Sequence, residues 1–169
     1  MQVSDLERLY DYAYWANSRL LAVVGRLSPE EFTRIIGGSY GSIRNTLVHT
    51  LSAEWGWLER CGGPARGPRL KAEDYPTADS VITVWTKVER LVRQYLATLS
   101  DQDLTHDVEF SLGPGATHII PRGYLLQHAA NHGVHHRGQV ALMLRMLGHA
   151  PGDFDILYYD DEKLATERT

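Results

Sequence analysis

The chain has one cysteine, Cys61, in 169 residues. An internal disulfide is therefore excluded, and a reducing, cytoplasmic setting is the expectation. Long apolar runs are also missing: no stretch approaches the roughly 20 residues that a membrane-spanning helix needs. The opening residues, MQVSDLERLYDYAYW, carry charge where a secretory leader would have its apolar centre, so a soluble intracellular protein is expected. No Lys/Arg cluster appears, and 17 basic against 21 acidic residues give a net charge of −4. A phosphate-backbone partner calls for clustered cations, which argues against nucleic acid. The sequence also has no repeat, no low-complexity tract, no Ser-His-Asp set and no carboxylate pair placed with its histidines.

What remains is an ordinary globular composition, with 43% hydrophobic and 22% charged residues. The length fits a single domain, residues 1–169, around one core. Four segments carry helical periodicity. The first runs from Ser4 to Arg26, with Leu6, Leu9, Tyr10, Ala13, Asn17, Leu20, Leu21 and Val24 at three- and four-residue steps. Ser4 and Glu7 read as its capping box. Ser28-Pro29 opens a short helix, proline being favoured at the first helical position.

The second long helix spans Ser42 to Arg60 and stops at Gly62-Gly63-Pro64. The Gly-, Pro- and charge-rich stretch to Pro76 reads as irregular connection, longer than a bundle turn needs. Asp79 to Leu99 is the third long helix. Val108–Phe110 and Thr117–Ile120 flank Gly113-Pro114-Gly115 and read as a small hairpin. The fourth long helix runs from Pro121 to Leu147, with Gly148 and Pro151 beyond it. The fold expected is all-α: a four-helix bundle with a crossover between its second and third helices.

The chemistry concentrates in HAANHGVHHRGQV. His132 and His136 are four residues apart, so a helix projects both from one face on successive turns. Such a pair can chelate one metal ion, as in a helical H-E-x-x-H motif, but that motif's glutamate is absent, and the metalloprotease reading fails. With Tyr124 at zero and ~100° per residue, His128, His132 and His136 form a ladder at about 40°, 80° and 120°. Leu125 and Met143 share that face, so the ladder is expected to point at the core.

Burying three imidazoles is costly unless something pairs with their nitrogens. A metal would do so; hydrogen-bonded core histidines are the alternative. On the second long helix, His49 lies about 100° or more from most of the apolar stripe Ile43, Leu47, Leu51, Trp55 and Leu58. Its neighbours Asn45, Ser52, Ala53 and Gly56 are short and leave room for a small molecule. An exposed histidine on a polar edge is the alternative there.

These residues carry a resemblance. LVHTLSAEWGWLER and QHAANHGVHHRGQV are similar to segments of the DinB/YfiT-like family of four-helix bundles, LYDYAYWANSRLL resembles its first helix, and LRMLGHAPGDFDILYY its close. The most specific piece is N-H-x-x-x-H-R-G-Q. The resemblance implies metal ligands at His49, His132 and His136, an up-down-down-up bundle, and a tendency to form homodimers. It also implies a divergent chemistry. Some members are thiol-dependent S-transferases or isomerases, others are of hydrolase type, and many have no assigned activity.

Three imidazoles leave a metal ion an open position, an arrangement more often catalytic than structural. All-nitrogen ligation suits zinc or nickel first, and iron or copper after them. The ion could lower the pKa of a bound water or hold a low-molecular-weight thiol as thiolate. The functional expectation is a metal-dependent S-transferase or hydrolase acting on a small-molecule substrate. The alternative is a non-catalytic, stress-associated metal-binding dimer.

Around the three ligands, Gln139 is expected to orient a ligand imidazole through its free N–H. His128 reads as structural filler or as a proton carrier beside the cavity. Asn17 reads either as a helix-packing hydrogen-bonding group or as a group at the cavity. Arg137, near 220° on the wheel, is expected at the surface or an interface. Glu54 should be a partly buried packing-edge residue, Tyr10, Tyr12 and Tyr14 core and rim aromatics, and Cys61 an unreactive thiol.

Overall fold

The computed structural model describes residues 1–168. The chain is mostly helical with a small two-stranded sheet, in the order α1 (Val3–Val24), α2 (Pro29–Thr33), α3 (Ile43–Arg60), α4 (Ala78–Leu96), β1 (Asp107–Ser111), β2 (Thr117–Pro121), α5 (Arg122–Met146) and α6 (Ile156–Glu167). Helix α5 packs on both α3 and α1, and α4 packs on the same two helices from elsewhere. The core between them is built from residues such as Leu6, Leu20, Leu51, Leu58, Val88, Leu126 and Leu144.

Local chemistry sets the boundaries. Ser42 caps α3 by accepting a hydrogen bond from the Asn45 amide at 3.1 Å. Ser28 and Glu31 form a reciprocal box at the start of α2: the hydroxyl accepts from Glu31 N at 3.2 Å and the carboxylate accepts from Ser28 N at 2.9 Å. Helix α1 begins earlier than expected. It is the Asp5 carboxylate that accepts from the Gln2 amide, at 2.8 Å, and Ser4 lies inside the first turn. At the end of α5, Gly148 adopts φ +87. There His149 N donates to Leu144 O at 2.9 Å and Gly148 N to Arg145 O at 3.0 Å, the pair of bonds that closes a helix through a left-handed glycine.

Strands β1 and β2 pair antiparallel with Val108 opposite Ile120 and Phe110 opposite His118. The connection from Gly62 to Pro76 has no regular structure except one 3₁₀ turn at Ala72–Asp74.

Two expectations need correction. Helix α6 was not foreseen; Arg8 pairs with Asp160 at 2.7 Å, Trp15 Nε1 donates to Glu162 at 2.8 Å, and Tyr159 packs edge-on against Trp15. The histidine ladder is not uniformly core-facing. His128 is exposed, His132 half-buried and His136 buried, so the ladder descends from solvent into the protein. Among the described residues, no helix is long and apolar enough to cross a membrane.

Candidate metal centre

Helices α3 and α5 bring His49, His132 and His136 together, with one ligating atom from each ring lying within 4.8 Å of the others. His132 Nε2 stands 3.0 Å from His136 Nε2 and 3.3 Å from His49 Nε2. His132 thus stands close to both other rings, and the three offer their nitrogens to one small volume. Nitrogens at ~2.0–2.1 Å from a common tetrahedral ion stand ~3.3–3.4 Å apart. The two spacings to His132 match that requirement to within a few tenths of an ångström, and the third pair lies within 4.8 Å, so the three imidazoles could hold one metal ion.

The protonation state suits ligation as well. Burial, followed by the positive neighbours His136 and Arg69, pulls the His49 pKa down to about 4. Burial and then the surrounding histidines pull His132 to about 4, and burial lowers His136 while its bond to Gln139 opposes that. Near neutral pH the imidazoles are therefore uncharged, the form that offers a lone pair to a cation.

Gln139 selects the tautomer of His136. Its amide nitrogen lies 2.9 Å from Ser39 Oγ and 3.0 Å from His135 Nε2. That leaves the amide oxygen facing His136 Nδ1 at 2.8 Å. An oxygen there accepts, so Nδ1 carries the hydrogen and Nε2 presents its lone pair to the cluster.

A tyrosine that sequence reasoning missed completes the centre. Tyr40 stacks on His49 with ring centroids 4.0 Å apart, and its hydroxyl lies 2.9 Å from His49 Nε2. It is delivered by a turn in which Ile36 N donates to Gly41 O at 2.8 Å, and Gly37 and Gly41 both take positive φ. Asn45 Nδ2 then pins the Tyr40 carbonyl at 3.0 Å. The only signal in the sequence was an aromatic residue between glycines just ahead of the cap of α3.

Other residues fall outside the cluster. His128 sits edge-on to Trp57, centroids 5.0 Å apart, and its ring is 6.0 Å from that of His132. Asn17 Oδ1 accepts from Arg137 Nη1 at 2.9 Å, between α1 and α5, and also lines a narrow void behind His136. Arg137 is therefore not at the surface. It is only 4% exposed, because α5 has one face toward α3 and another toward α1, and the arginine points into the second.

Glu54 is buried rather than at a packing edge, and its carboxylate accepts from Tyr14 Oη at 2.7 Å. Burial drives its pKa up to about 7. Tyr10 and Tyr14 are core residues, while Tyr12 is half-buried and donates to Phe154 O at 3.1 Å. Cys61 is fully buried, and burial raises its thiol to about 11, which keeps it protonated.

Comparison with known proteins bears on the family and the fold. The DinB family model matches residues 1–169. Protein DinB of Bacillus subtilis (strain 168) is 26% identical over 157 residues, covering 90% of this chain and 91% of that protein. Uncharacterized protein YizA of the same organism is 24% identical over 144 residues, covering 85% and 89%. A crystal structure of a DinB-like protein from Bacillus cereus ATCC 10987 superposes with TM-score 0.76 at 21% identity, covering 90% of this chain and 97% of that one. A conserved protein from Enterococcus faecalis gives TM-score 0.60 at 15% identity, covering 86% and 96%. At these identities the two structures speak for the fold alone.

Proposed function

We propose that this chain, which belongs to the DinB family, holds one divalent metal ion on His49, His132 and His136 and uses it as an enzyme. The observation that carries this reading is the grouping of one ring nitrogen from each histidine within 4.8 Å, with Nε2 of His132 3.0 Å from that of His136 and 3.3 Å from that of His49. Zinc or nickel suits an all-imidazole donor set best, iron and copper less well. A bound ion of this kind would activate a low-molecular-weight thiol or a water, giving S-transferase or hydrolase chemistry. The chain's own residues prepare for it: Gln139 fixes the tautomer of His136, burial keeps the imidazoles neutral, and the Tyr40 ring covers one side of His49.

The proposed working unit is a single domain in a cytoplasmic homodimer, acting on a small molecule. The packing of α5 and α4 on α1 and α3, with the long Gly62–Pro76 connection between α3 and α4, supports an up-down-down-up bundle.

One feature favours a second reading, a metal-binding protein without turnover. The Tyr40 hydroxyl is close enough to the cluster to serve as a fourth protein donor. A single set of variants separates the two. His49→Ala, His132→Ala and His136→Ala should each lose stoichiometric metal, measured by elemental mass spectrometry on untagged protein, while His128→Ala keeps it. Full occupancy in His49→Ala would overturn the assignment. In the cobalt(II)-loaded protein, an unchanged visible spectrum on Tyr40→Phe leaves the fourth position to an exchangeable ligand. A change of coordination number makes Tyr40 a ligand and the ion structural.

A further inference from the structure

Ser52 anchors the connection after α3. Arg66 Nη1 donates to the Ser52 carbonyl at 2.6 Å and lies 3.1 Å from its hydroxyl, and Leu70 N donates to that hydroxyl at 3.3 Å. Gly56 makes this possible: a Cβ there would come within 2.8 Å of Arg66 Nη1. Residues 66 and 70 are thus tied to one helical turn, and Arg69 is held between them at the rim of the histidine cluster.

Arg69 has an unusual neighbour. Its Nη2 stands 3.4 Å from His49 Nδ1. A guanidinium has donors only. Once His49 ligates through Nε2, its Nδ1 carries the ring hydrogen and is a donor too. Two donors then face each other and need an acceptor between them. Arg69 makes no other hydrogen bond among the described residues. Among the described residues, neither Arg66 nor Arg69 has a carboxylate within ion-pair distance. Glu59 acts on Arg66 only through space, and Arg66 Nε is buried without a hydrogen-bond partner. A chain of net charge −4 thus keeps a guanidinium without a carboxylate partner, that of Arg69, beside the histidine cluster.

We infer that the ligand of this site carries a carboxylate, which accepts from the Arg69 guanidinium and from His49 Nδ1–H. Arg69 is exposed, and its planar fork matches a carboxylate better than an ammonium would. The inference rests on the metal reading above and names the substrate class for it.

The test compares mercaptoacetate with its uncharged methyl ester, titrated into cobalt(II)-loaded protein whose metal content has been measured first. Binding is read from the thiolate-to-metal absorption. A charge-assisted hydrogen bond should favour the acid by about tenfold or more. In Arg69→Gln the preference should fall close to unity, with Arg69→Lys in between. Acetate that perturbs the spectrum of the bound ester only when Arg69 is present places the carboxylate on a second molecule; acetate without effect places it on the thiol. Equal affinity for acid and ester, or an undiminished preference in Arg69→Gln, overturns the inference and leaves the metal reading intact. So does binding of neither thiol. Only absence of metal in the first measurement removes the cage itself.

Discussion

Replacing Glu54 by Gln gives a stability change whose size follows from the structure. The carboxyl is buried beside Tyr14, and its pKa rises from 4.5 to about 7, chiefly through burial. A carboxyl with a raised native pKa binds its proton more tightly in the folded state. Folding therefore loses stability as pH climbs from the unfolded value through the folded one. The loss begins near pH 4.5 and is complete somewhat above pH 7. A difference of ~2.5 pH units at ~1.36 kcal/mol each is roughly 3 kcal/mol. Glutamine keeps an oxygen for the Tyr14 hydroxyl and cannot ionise.

The histidines push the other way. His49 and His132 have lowered native pKa values, so the stability they contribute is lost as pH falls through the window from 6.5 to about 4. That background is common to both proteins and cancels in the difference. Urea unfolding of metal-free wild type and Glu54→Gln at pH 5, 6, 7 and 8 supplies the curve. The variant should lie within about 1 kcal/mol of wild type near pH 5 and exceed it by roughly 3 kcal/mol at pH 8, or by about 6–12 °C in Tm. A difference that stays flat across this range would show that the carboxyl is solvated or paired in solution, and the reasoning would fail.

Two further variants probe how the centre is supported. Gln139→Ala removes the acceptor that fixes the His136 tautomer and the tie to Ser39, so metal affinity should drop about 10–100-fold in a chelator competition, with full loading at saturating metal; unchanged affinity would remove Gln139 from the centre. Gly56→Ala should displace the Arg66 guanidinium from Ser52 and speed tryptic cleavage between residues 62 and 76. Its helix propensity should meanwhile offset the strain by about 1 kcal/mol, so global stability should not fall; a cleavage rate equal to wild type would show that Arg66 does not hold the connection.

The long helices were legible because their apolar residues recur at the helical period, and α3 also has a short polar cap at Ser42. His132 and His136 needed only the pitch of a helix. Helix α6 was hidden because it is held mainly by long-range pairs to α1, such as Arg8–Asp160 and Trp15–Glu162, with Tyr159 as a buried anchor. No local pattern reports such contacts. Arg137 misled for a related reason. A wheel measures angle from a chosen face, so an arginine opposite one packed face reads as wet although a second helix covers it.

Tyr40 and Arg69 share the deeper reason for illegibility. Both lie in segments without periodicity, and both reach His49 only because glycines let the backbone turn or let a guanidinium sink against α3. The division has a physical consequence for how the site works. The three imidazoles are carried by helices packed in the core, so the cage is fixed by the same contacts that fix the fold. The groups facing what enters, a phenol on one side of His49 and a guanidinium on the other, ride on connections anchored by a few hydrogen bonds each. Changes in those connections can therefore alter which ligand is held without disturbing the cage, whereas a change in either helix alters both at once.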